Sequence, residues 1–134
     1  MRSVRLVVFA GRWDRNLLLP VAAGKLHRDF PEDVVKADET PADAACRLAQ
    51  MYGLPLSPDD WLTVVDGAEA NSPVVLAMRA AQSDFVKSAA LSEKSYWTQT
   101  ELTLCDAWVN PNNFMPTLLS TLEQARHALN AAGK

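Results

Sequence analysis

The chain is poor in the residues that staple small proteins or bind transition metals. It has two cysteines, Cys46 and Cys105, far apart and with no second Cys or His beside either. They form no metal pattern, and two thiols are a weak basis for a disulfide framework; the expectation is two buried, reduced thiols in a cytoplasmic protein. No apolar run approaches the roughly 20 residues of a membrane span. The run Leu6 to Ala10 is too short for a signal-peptide core and is bounded by Arg5 and Arg12. A soluble chain without membrane association is expected. Basic charge is also short, with 13 Lys and Arg against 16 Asp and Glu and a net charge of −3. No basic field is therefore available to hold nucleic acid. The two histidines, His27 and His127, stand alone, and neither completes a Ser or Cys catalytic set. Repeats, linkers and low-complexity tracts are absent, so residues 1–134 read as one domain.

What remains is an ordinary globular composition, 49% apolar and 22% charged over 134 residues, able to bury a core without staples. Val4 to Ala10 reads as a buried strand. Gly11-Arg12-Trp13-Asp14-Arg15-Asn16 supplies a turn. Leu17 to Ala22 is a second strand in which Pro20 marks an edge or an interruption. Gly24 to Glu32 reads as a polar connection. Trp61 to Val65 and Pro73 to Ala80 read as antiparallel partners across a turn that begins at Asp66-Gly67. Asp84 to Lys94 fits a short helix or an irregular loop, and Tyr96 to Thr98 a short strand. Leu118, Leu122, Ala125 and Leu129 line one face of a final helix that Asn112 or Asn113 can cap. His127 lies on that helix and is expected to be exposed.

The clearest element follows Thr40. Its hydroxyl is an N-cap, Pro41 suits the first helical position, and Asp43 stands where a capping box needs a carboxylate. Ala44, Leu48 and Met51 recur at helical spacing, with Ala45, Ala49 and Tyr52 widening the stripe. Gly53 and Pro55 end the helix, which spans Pro41 to Tyr52. The order of elements predicts an α/β protein, a mixed sheet between helices.

Residues 30–54 resemble a Nudix box, the motif G-x5-E-x7-R-E-U-x-E-E-x-G-U with U a bulky aliphatic. The segment from Phe30 to Pro41 aligns without a gap to the family string LPGGKVEPGETP, agreeing at Pro31, Val35, Glu39, Thr40 and Pro41. Ala44-Ala45, Arg47 and Gly53-Leu54 continue the match. Trp97-Thr98 followed by Glu101-Leu102, and a long last helix, also resemble the family. The resemblance implies a Nudix-like α/β/α sandwich, and a homodimer. A coincidental match would not place the first strands and the Trp61 hairpin around the Pro41 helix in one sandwich.

The departures bear on chemistry. Glu32 and Asp33 replace two glycines, and the spacing from Arg47 to Gly53 is one residue short. Gln50 and Met51 fall on the paired glutamates, and no placement of a single gap restores one. In the family those carboxylates hold Mg²⁺ or Mn²⁺ against a diphosphate. Hard cations need oxygen ligands, and phosphate hydrolysis needs the metal to offset charge and activate water. An amide and a thioether do not replace them. Glu39 and Arg47 imply a structural pair bracing loop and helix.

Two functions are therefore expected. One is a non-catalytic Nudix-like domain that binds a nucleotide-type ligand or a protein partner, with no cofactor and no metal site. Its ligand-contact candidates are Arg47, Trp13 and Trp97, the tryptophans as stacking platforms. The other is an unorthodox hydrolase of nucleoside diphosphate derivatives. It would draw catalytic groups from Glu32, Asp33, Glu39 and Glu101 and use Mg²⁺ or Mn²⁺ at a relocated site. Glu32, Asp33, Asp38 and Glu39 form an acidic loop before the helix, with Lys36 in its midst opposing a cation.

Overall fold

The computed structural model describes residues 2–21, 28–67, 72–90, 96–114 and 117–134. Six strands make one mixed sheet: β1 (Ser3–Ala10), β2 (Asn16–Leu18), β3 (Glu32–Val34), β4 (Leu62–Val65), β5 (Val74–Ala80) and β6 (Trp97–Gln99). The path is β4-β5-β1-β2-β6, and β3 also pairs with β1. β1 runs parallel to β5 from Val4↔Val74 to Ala10↔Ala80. On its other edge it meets β3 at Ser3 to Arg5 and β2 at Phe9 and Ala10. β3 and the β1–β2 turn thus lie at opposite ends of one strand.

Helices cover both faces of the sheet, which is why β1 and β5 are apolar at almost every position. Val4, Leu6, Val8 and Ala10 pack with Val74, Leu76 and Met78 against α1 (Pro41–Gln50). Val7 and Phe9 turn the other way with Val75 and Ala77. They pack against α3 (Thr100–Val109) through Ala107, and against α4 (Leu118–Ala131) through Leu118, Leu122, Ala125 and Leu129. The period-2 alternation of a strand sorts the chain into two core layers. The first strands and the Trp61 hairpin form one sheet with α1 on one face and α3 and α4 on the other, an α/β/α sandwich.

The Thr40 cap forms as expected: Asp43 N donates to Thr40 Oγ1 at 3.1 Å and Thr40 N to Asp43 Oδ2 at 3.2 Å. The helix stops at Gln50, and Gly53 reverses the chain at φ 77°. Met51, placed on the buried stripe by its spacing, lies beyond the last turn and is 66% exposed.

Other expectations are corrected. β3 appears inside the segment read as an acidic loop, because pairing with β1 rather than apolar alternation makes it a strand. Neither Glu32 nor Asp33 takes a positive φ, so extended pairing occupies the place of the family's glycines. Of the two readings open for Asp84 to Lys94, the helix holds over its described part, within α2 (Gln82–Ala90); residues 91–94 lie outside the described residues. α3 went unpredicted because its apolar residues do not share a face: Leu102, Trp108 and Val109 are exposed while Thr100, Thr103 and Ala107 are buried. Asn112 and Asn113 belong to a separate 3-10 turn and do not cap α4. Cys46 is buried as expected, but Cys105 is exposed on α3; both are free thiols. His127 is exposed, and His27 lies outside the described residues. No helix among the described residues is long and apolar enough to cross a membrane.

Candidate functional site

The segment from β3 to α1 is organised by Arg47. Its position in the last turn of α1 lets the guanidinium reach back along the helix to the chain leading into it. Nε donates to Glu39 Oε2 and Nη2 to Glu39 Oε1, each at 2.9 Å. Nη1 donates to Asp33 Oδ2 and Nη2 also to the Val34 carbonyl, again at 2.9 Å. Such a fork on carboxylate oxygens is the arrangement a planar guanidinium favours. Glu39 additionally accepts from Lys36 N at 3.0 Å.

The electrostatics follow from these bonds. Arg47 and the Lys36 amide hold the Glu39 carboxyl at about 2, well below the carboxylate range. The Val34 amide and Arg47 lower Asp33 in the same sense, and Glu39 and Asp33 raise Arg47. All three are therefore ionised at neutral pH, and the two carboxylates are committed to one cation.

The other acidic candidates have different partners. Glu32 accepts from Arg5 Nη2 at 3.4 Å and Ser3 Oγ at 3.3 Å. Asp38 is exposed. Glu101 opens α3, where Arg126 Nη2 donates to it at 2.9 Å. Glu32, Asp33 and Glu39 thus gather around β3 and the start of α1, and Glu101 does not join them.

Magnesium or manganese, which the resemblance implies, does not fit the residues at this place. Gln50 offers one neutral amide oxygen and Met51 a thioether, and both are exposed. Asp43 closes the helix cap, while Asp33 and Glu39 bind Arg47. Among the described residues, no three His, Cys, Asp or Glu side chains come together to hold a metal ion.

The aromatic candidates separate sharply. Trp97, expected as a stacking platform, is 7% exposed. Its indole Nε1 donates to Ser88 Oγ at 2.9 Å, and its ring meets Phe85 edge-on at 4.9 Å. It packs in the α1-side core because β6 turns this position inward. Trp13 is 83% exposed in the β1–β2 turn. Arg12 and Arg15 beside it were not singled out from sequence, although two arginines bracketing a tryptophan in a turn were the signal.

No protein-family model matches the chain, and no curated protein matches it. Among solved structures, the crystal structure of C. elegans Ap4A hydrolase is similar. The match covers 92% of this chain and 93% of that one, with TM-score 0.53 and 17% identity. The likeness establishes the fold as Nudix-like.

Proposed function

We propose that this Nudix-like domain binds a nucleotide-type ligand without the metal-dependent pyrophosphohydrolysis typical of intact Nudix boxes. The fold's relationship to nucleotide-derivative hydrolases supports the ligand class. The observation that carries the reading is that Gln50 and Met51 stand where the resemblance requires the paired glutamates. Glu39 and Asp33, the neighbouring carboxylates, are both bonded to Arg47. A helix without free carboxylates lacks the hard ligands that a diphosphate-bound cation needs.

Calorimetric titration with ADP, ADP-ribose, NAD and diadenosine tetraphosphate, each in EDTA and in excess Mg²⁺, tests this. At least one compound should bind with the same affinity in both buffers. Binding that appears only with Mg²⁺, followed by cleavage, overturns the reading in favour of a relocated metal site. A second reading, docking of a protein partner, draws on the exposed Leu102, Trp108 and Val109 of α3. Absence of any nucleotide binding favours it.

A further inference from the structure

The turn from β1 to β2 carries backbone strain. Trp13 has φ 61° and Asp14 φ 53°, the only non-glycine residues with positive φ among those described. L side chains avoid this region, and bulky ones most of all. The turn is nevertheless clamped from three elements. Asp14 accepts from Arg79 of β5, Nε at 2.7 Å and Nη2 at 3.0 Å. Arg126 of α4 stands 3.6 Å from its Oδ2. Thr100 donates its hydroxyl to the Asp14 carbonyl and its amide to the Arg15 carbonyl, the latter at 2.9 Å. The result is a tryptophan fixed on a strained backbone and left in solvent. Strain kept by its surroundings points to function.

Trp13 borders a cleft of about 540 Å³, within the range of small-molecule sites. Arg12, Arg15 and Asn16 line it from the turn, and Gln82 and Gln99 from α2 and β6. The Arg12 guanidinium lies 5.7 Å from the centre of the Trp13 ring. Among the described residues, neither Arg12 nor Arg15 has a carboxylate within ion-pair distance. Glu101 also lines the cleft and is bound to Arg126. The cleft therefore offers a stacking face, two cations without a carboxylate partner, neutral amides and one carboxylate already paired with Arg126. It lies at the far end of β1 from β3 and Arg47.

We propose that this cleft is a nucleoside diphosphate site: Trp13 stacks the base, Arg12 and Arg15 hold the diphosphate, and Gln82 and Gln99 meet polar groups of the nucleoside. The inference rests on the nucleotide-binding reading above and adds the place of binding.

Calorimetry with ADP, adenosine and inorganic pyrophosphate tests it on the full chain and on Trp13→Phe, Trp13→Gly and Arg12→Ala/Arg15→Ala. Trp13→Phe should keep most of the ADP affinity. Trp13→Gly should weaken ADP roughly ten- to a hundredfold, the size of a lost base–aromatic stack. Glycine accepts φ 61° freely, so the same variant should melt no lower than the parent, which separates lost binding from lost folding. The double arginine variant should weaken ADP and pyrophosphate but not adenosine. ADP binding unchanged in Trp13→Gly overturns the site and leaves nucleotide binding elsewhere standing. Failure of ADP to bind the parent chain overturns the site, and failure of ADP-ribose, NAD and diadenosine tetraphosphate as well overturns both.

Discussion

Arg47 and Glu39, eight residues apart, meet in a two-point fork with both nitrogen–oxygen distances at 2.9 Å. The fork joins the last turn of α1 to the chain that enters it, and Asp33 extends the tie to β3. One guanidinium shared by two carboxylates thereby braces this segment.

A pH dependence follows from the fork. Glu39 ionises near 4.5 in the unfolded chain but stays ionised down to about 2 when folded. Its contribution to stability is complete above the unfolded value and is lost as pH falls through the folded one. Asp33, also lowered, acts in the same direction. Arg47→Gln should therefore lower the melting temperature at neutral pH, with a gap to the parent that narrows as the buffer is taken below the unfolded value. A gap independent of pH contradicts the fork as its source.

The cap on α1 makes a separate prediction. Thr40→Ala should cost about 1 kcal/mol in urea unfolding, the usual size of a lost N-cap. Asp43→Ala should cost a similar amount. The double variant should cost less than the sum, because each residue bonds the other's amide. Strict additivity would argue against a reciprocal cap.

Asp14 is the keystone of the Trp13 turn. Asp14→Ala removes two hydrogen bonds to Arg79 and leaves Arg79 and Arg126 without their shared carboxylate. Chemical denaturation should show a loss of about 1–3 kcal/mol. ADP affinity should fall with it, since the turn is no longer held. A neutral effect on both would mean that the clamp is ornamental.

The thiols should react at different rates. Burial raises the Cys46 thiol above its ordinary value, whereas Cys105 is exposed on α3. One equivalent of an aromatic disulfide reagent should react quickly at neutral pH and the second only on unfolding. Two fast equivalents would place Cys46 outside the core.

Much of the fold was legible because its signals are local. Thr40-Pro41 with Asp43 announced α1, and the spacing of Leu118, Leu122, Ala125 and Leu129 announced the buried face of α4. α3 was illegible because Leu102, Trp108 and Val109 are exposed, so no apolar stripe marks it. β3 was illegible because a polar strand at Glu32–Val34 depends on its partner β1. At the site, the bracing pair Glu39–Arg47 was readable from the resemblance. Asp33 as a third member was not, since only folding brings it to Arg47. Trp13 and Trp97 looked alike in sequence; a strained turn exposes one, and an inward register position buries the other.

The central claim is binding without metal-dependent cleavage, and a single-turnover assay addresses it most directly. Protein in excess over diadenosine tetraphosphate or ADP-ribose is incubated with Mg²⁺ or Mn²⁺, and the nucleotides are separated chromatographically. Intact compound is expected after prolonged incubation, in a sample whose calorimetry shows binding of at least one nucleotide in EDTA. Metal-dependent release of a nucleoside phosphate, abolished by Asp33→Asn or Glu39→Gln, would contradict it.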